Sequence, residues 1–247
     1  MSTREPDEIA KMDWRLNALT WTTAPFTVPE TGFVVEAGSA VTQSAFLKHG
    51  RDVLSVSIPN ATALFLDLSK SLHDSACQSL ARTLAMRTPR TGNHLPDADL
   101  FACIEATMAS IVFACTALEA FVNEKVPDTY VHVVVEERVT RQYDKQQIER
   151  ALSLDHKIGD VLPAALGMKT PKGGKLWSDY QKLRDLRDRI VHMKTADRFF
   201  NGEAGSSIWN SLLTKPLPAT YAPAKAMMRH FFASAKDWPR WLTKCPF

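Results

Sequence analysis

The chain has 247 residues, 45% of them hydrophobic and 23% charged, which is enough apolar material for a sizeable core and too much for a disordered chain. The formal net charge is only +3, and the four cysteines, Cys77, Cys103, Cys115 and Cys245, form no C-x-x-C pair, which speaks against a disulfide framework or a cysteine-built zinc site. The first twelve residues, MSTREPDEIAKM, are charged and lack an apolar run, and the longest apolar run, 108–118, is closed by Glu119 and too short for a bilayer, so the expectation is a cytoplasmic protein without a leader or a membrane partner.

Residues 1–59 read as an N-terminal extension, partly β or irregular. A loose tail (1–12) precedes β-branched runs broken by Pro and Gly: TWTTAPFTVPE, GFVVEAG and DVLSVSIP. TQSAFLKHG (42–50) reads as a short helix between them. From Asn60 to Phe247 the pattern is that of one helical domain. The first helix, 60–87, carries Leu64, Leu68, Leu72 and Leu80 in helical register, with Asn60 as its cap. A Pro/Gly-rich loop (87–97) follows. The next helix starts near Asp97 or Asp99 and stops before Pro127, and it is apolar nearly all round, which predicts a central, buried helix.

TYVHVVVEERVTRQYD (129–144) reads as a short hairpin. Short helices are expected in DKQQIERAL and in SLDHKIGDVLPAAL, the second capped by Ser153. A basic loop, MKTPKGGK (168–175), leads into the helix KLWSDYQKLRDLRDRIVHM. A loop at 196–207 and helices in SIWNSLLT and APAKAMMRHFFASAKDWPRWL complete the chain. The fold class is mainly α, a helical bundle around the helix that begins near Asp97, with small β additions.

Charge is unevenly distributed. Residues 1–167 hold 15 Lys+Arg against 21 Asp+Glu, whereas residues 168–247 hold 15 against 6. Within the second part, 168–198 holds nine basic and four acidic residues, including Lys172, Lys175, Arg184 and Lys194. A localised positive face suits a phosphate-rich partner such as RNA, although basic residues also cluster on ordinary solvated surfaces.

In the basic helix, Leu176, Tyr180, Leu183, Leu186, Ile190 and Met193 form a core stripe. Asp185 with Arg189, and Arg184 with Asp188, are four apart and can form surface pairs worth about 0.3–0.5 kcal/mol each. Arg187 lies at the edge of the stripe, where an arginine needs a partner or an anion. His192 has the ordinary explanation of a histidine at a helix C-terminus, favoured by the helix dipole. On an ideal helix Arg187 and His192 point about 140° apart, so they converge only if the helix ends, kinks or bulges near Val191, or if each meets a second chain. On the long helix, Glu119 and Asn123 share one line with Glu105 and Thr116, and a polar line on an apolar helix needs partners.

The run RDRIVH (187–192) resembles the signature of the HEPN superfamily of helical domains: an arginine, a following polar residue, then a histidine after four to six intervening positions. ALEAFVNEKV (117–126) is similar to the stretch in which such proteins place an acid and an asparagine on the helix packed against the motif. The order SLDHKIGDVLPAAL, loop, W-x-x-Y-x-x-L-x-x-L-R-D is also similar to bacterial members, so the resemblance covers roughly 98–198. It implies a HEPN-like helical bundle and a metal-independent endoribonuclease, a toxin or defence effector with an antitoxin partner. Arg187 would hold the scissile phosphate, His192 would transfer protons and Asp188 would orient one of them. Glu119 or Asn123 would contact Arg187 and fix its rotamer. Lys172, Lys175, Arg184 and Lys194 would bind RNA. Two chains would meet in a homodimer with a composite site, without cofactor or metal. The alternatives are a non-catalytic module of the same kind, binding RNA, nucleotide or a protein partner, and a structural oligomerisation protein with a vestigial motif. His73 and Cys77 could share a helix face, but nothing near them in the sequence completes a zinc site. The other histidines, His49, His94, His132, His156 and His230, have no sequence neighbours that suggest chemistry.

Overall fold

A computed structural model describes residues 12–17, 19–29, 32–86, 97–136, 139–198, 207–233 and 238–247. Residues 1–11 of the expected tail and most of the loop at 87–97 lie outside the described residues. The chain divides into two units, Met1–Leu64 with Ala235–Phe247, and Phe65–Ser234. The first unit thus runs to Leu64 and takes in the last residues of the chain as well. Arg240 makes that join by donating to the carbonyls of Asp13 (2.8 Å) and Met12 (2.9 Å), and Trp14 meets Phe247 edge to face.

In this first unit, β1 (Leu19–Trp21) pairs with β4 (Ala40–Thr42), β2 (Phe26–Thr27) with β3 (Val34–Val35), and β5 (Ser44–His49) with β6 (Asp52–Ser57), all antiparallel. The helix expected at 42–50 is instead strand β5. Its register runs from Ser44 opposite Ser57 to His49 opposite Asp52, which leaves Gly50 and Arg51 as a two-residue turn. Gly50 takes φ +61°, the conformation that the first position of a tight hairpin turn requires. That turn and the β-branched partner strand outweigh the weak helical pattern. The short C-terminal helix Arg240–Thr243 also belongs to this unit.

The helical unit takes in most of α1 (Ala61–Ala85) and all of α2 (Asp97–Lys125). The Asn60 side chain accepts from the Ala63 amide at 2.9 Å, the cap expected for α1. Strands β7 (His132–Glu136) and β8 (Val139–Tyr143) form the expected hairpin. A capping box at Asp144 and Gln147 starts α3 (Lys145–Ala151), and Ser153 caps α4 (Leu154–His156). A π turn, Lys157–Val161, continues into α5 (Leu162–Leu166), which Gly167 ends at φ +63°. Then come α6 (Lys175–Val191), α7 (Thr195–Arg198), α8 (Ile208–Leu212) and α9 (Tyr221–His230).

Helix α2 is the hub and packs on α6, α8 and α9. Its Ile111, Ala114, Leu118, Phe121 and Val122 are fully buried, as are Ile208, Leu212, Met227 and Met228 opposite. Phe121 meets Phe231 and Phe232 with ring centroids 6.2 and 5.9 Å away. Each such side chain contributes about 1.5–3 kcal/mol by burial. By length and hydropathy α2 is apolar enough to cross a membrane, which the eleven-residue run at 108–118 did not suggest. Here it serves as a core helix. Its buried Ser110 hydroxyl donates to the Ser69 carbonyl (2.6 Å) and pairs with the Thr220 hydroxyl (2.8 Å).

Candidate active site

The stripe read on α6 is the face that packs: Tyr180 and Leu183 are buried against α2, and Leu176, Leu186 and Ile190 are partly covered. Arg187 lies at its edge, with 29% of its side chain exposed, and pairs with Asp188 at 3.1 Å. It shares one small cleft with Val112, Cys115, Thr116 and Glu119 of α2 and with Val191. Burial pushes the Cys115 thiol up to about 11, with the Arg187 charge pulling in the opposite direction. Cys115 is therefore a protonated wall of the cleft rather than a nucleophile.

Arg187 also opens, with Asp188, onto a wider cleft of about 560 Å³ bordered by Glu119, Glu149, Arg150, Asp155, Arg184 and Asp185. Helix α6 ends at Val191, and exposed His192 is its C-cap, its amide donating to the Asp188 carbonyl at 2.9 Å. The helix was expected to run two residues further. His192 lines a third cleft, of about 450 Å³, with Asp188, Arg189, Lys194 and Asp197. Arg187 and His192 thus face neighbouring clefts, and Asp188 belongs to both. The helix terminus expected near Val191 is there, but within one chain it does not bring the two side chains to one point. The π turn lies elsewhere, at Lys157–Val161.

Glu119 and Asn123 have a different partner from the one expected. Lys157, 1% exposed, directs its Nζ to the Glu119 carboxylate, to Asn123 Oδ1 (3.3 Å) and to the Glu149 carbonyl (2.7 Å). Glu119 still borders the Arg187 clefts, but its hydrogen-bonded ion pair is with Lys157 rather than Arg187. The missed signal was Lys157 itself, buried beside Leu154, Ile158 and Val161. A lysine in such a place needs an acid.

Arg184 and Arg189 depart from the i,i+4 pairs expected with Asp188 and Asp185. Arg184 reaches Asp155 on α4 and the adjacent Asp185. Asp155 also accepts from the Tyr180 hydroxyl at 2.5 Å, and burial raises the Tyr180 pKa. Arg189 binds Asp197 on α7 through Nε (3.1 Å) and a terminal nitrogen (2.6 Å). Side chains of this length reach tertiary carboxylates whose geometry the helix spacing does not reveal. The basic face is compensated in the same way. Lys172 pairs with Asp160 at 2.6 Å, and Lys175 with Asp179. Lys194 is exposed, and its amide donates to Asp197 at 3.4 Å.

The remaining histidines are less idle than their sequence neighbours suggested. His73 lies 3.6 Å from the Cys77 thiol, His230 Nε2 meets the Lys169 carbonyl at 2.9 Å, and His132 meets His156. His49 is exposed, and His94 lies outside the described residues. Among the described residues no three His, Cys, Asp or Glu side chains converge as a ready metal cluster. Compared with known family models, curated proteins and solved structures, the chain matches none.

Proposed function

We propose that the chain is a metal-independent endoribonuclease of the HEPN type whose working site is completed by a second copy. The observation that carries this reading is the end of α6. Arg187, Asp188 and His192 are all solvent-accessible there, on two clefts joined by Asp188. A pair split between adjacent clefts suits a composite site, in which Arg187 of one copy and His192 of the other meet at one phosphate.

In the proposed reaction the RNA 2′-oxygen forms a bond to phosphorus as the bond to the 5′-oxygen breaks. A histidine removes the 2′-hydroxyl proton, a second delivers a proton to the leaving oxygen, and the product end is a 2′,3′-cyclic phosphate. Arg187 offers a forked donor to the phosphoryl oxygens, and Asp188 holds that fork. A role as toxin or defence effector, with an antitoxin partner, belongs to the same proposal.

A second reading is a non-catalytic module of the same kind, and the charge pattern favours it. The wider Arg187 cleft presents Glu119, Glu149, Asp155, Asp185 and Asp188 against Arg150, Arg184 and Arg187, and Lys172 and Lys175 already have acidic partners. One experiment separates the two: end-labelled RNA incubated with the protein in excess chelator. Catalysis gives cyclic-phosphate ends, with the rate lost about 100-fold or more in Arg187→Ala and in His192→Ala at unchanged circular dichroism. Cleavage abolished by chelator, or full activity in either variant, removes the catalytic reading. Salt-dependent binding without turnover establishes the second.

A further inference from the structure

Away from α6, two imidazoles meet head to head. His132 on β7 is 8% exposed, and its Nε2 lies 3.1 Å from Nε2 of His156, the last residue of α4. The rings stand at 86° with centroids 5.1 Å apart. On its far side, His132 Nδ1 lies 3.4 Å from the Tyr130 hydroxyl. Two nitrogens this close either share a proton or hold one cation between them. Metal–imidazole bonds of about 2.0–2.1 Å place two nitrogens about 2.9 Å apart at a right angle and about 3.3 Å apart at the tetrahedral angle. The observed separation lies between these values.

The surroundings favour the cation. With Nδ1 of His132 turned to the Tyr130 hydroxyl, Nε2 faces His156, the arrangement in which an outer partner orients a metal-bound histidine.

We propose that His132 and His156 form a binding site for a divalent transition-metal ion of the zinc, nickel or copper class, which ties the β7–β8 hairpin to α4. Imidazole is a preferred ligand of these ions. Binding moves the proton between the two nitrogens to Nδ1 of His156, and water completes the coordination. Neither histidine belongs to the Arg187–His192 machinery, so the site stands or falls independently of the nuclease reading.

The test is calorimetric titration of the metal-stripped 247-residue chain with zinc chloride and with nickel chloride, alongside thermal unfolding. One saturable event is expected, at least tenfold weaker in His156→Gln and in His132→Gln and retained in His73→Gln, which controls for the His73–Cys77 pair. The same ions raise the unfolding temperature of the parent chain and of His73→Gln but not of His156→Gln. His156→Gln is the decisive variant because His132 is buried and its replacement also perturbs packing. No saturable binding, or binding that survives in His156→Gln, leaves a shared proton as the whole content of the contact and overturns the proposal.

Discussion

At the scale of single residues, the candidate site rests on groups that ordinary helix physics leaves poorly explained. Arg187 sits at the boundary of a packed stripe with a neighbouring aspartate as its ion pair, which leaves the outer edge of its guanidinium able to meet an anion. Lys157 is the opposite case, a buried cation fully engaged by Glu119, Asn123 and a backbone carbonyl. Removing one partner of such a pair costs more than the pair is worth, because the remaining groups stay desolvated. Lys157→Ala is expected to destabilise the fold by about 3 kcal/mol in urea unfolding, toward the lower end for buried pairs because Glu119 keeps 37% of its side chain exposed. A loss below about 1 kcal/mol would show that the network carries no weight.

At the scale of elements, the end of α6 is held by the short helix α7 beyond it. Arg189 reaches across the turn to Asp197, and the two line the cleft of His192. The hydrogen bonds from Arg189 are the largest cause holding the Asp197 carboxyl below its ordinary range. An unfolded aspartate titrates near pH 3.9, so the contribution of this pair is fully present above about pH 4 and is lost as the pH falls through the lower folded value. Asp197→Asn is expected to flatten that acid limb of the stability curve while leaving the neutral and alkaline limbs parallel to the parent. An acid limb that keeps its slope would assign the dependence to other carboxylates.

The π turn offers a second test. A Cβ on Gly159 would come 2.2 Å from Lys172 Cε, a hard clash on paper. The three nearest atoms nevertheless all belong to the far part of one exposed, flexible side chain, and alanine is favoured over glycine in a helix by about 0.5–1 kcal/mol. Gly159→Ala is therefore expected to shift stability by less than about 1 kcal/mol. Lys172 would swing off Asp160 and the Trp177 ring, which tryptophan fluorescence reports. A large loss would mean that the π turn cannot accept a side chain.

At the scale of the whole molecule, the excess of positive charge in 168–198 is partly offset by acids from outside the segment. Asp160 and Asp155, from the acidic part of the sequence, neutralise Lys172 and Arg184. Any RNA affinity then depends less on phosphate neutralisation than the sequence charge implies. If the RNA-binding proposal holds, Asp160→Asn frees one cation. It is expected to tighten binding and steepen the slope of log affinity against log salt by about 0.7–0.9, read by fluorescence anisotropy over a salt series. An unchanged slope would place Lys172 off the RNA path.

The sequence by itself determined what depends on near neighbours. Apolar spacing marked α2 as the core helix and Tyr180 and Leu183 as the buried side of α6. Asn60 and Ser153 marked helix starts, because capping is settled within three residues. The β7–β8 hairpin was legible from its β-branched run. Strand β5 was not, because its weak local pattern is decided by the partner strand beyond Gly50. Only the tertiary structure decided who pairs with whom: Lys157 with Glu119, Arg184 with Asp155, Arg189 with Asp197, and His132 with His156. These partners are 8 to 38 positions apart in sequence, and long side chains choose among acids by distance and burial rather than by spacing along a helix. The separation of Arg187 and His192 into neighbouring clefts has the same origin, because it depends on where α6 stops and what packs beside it.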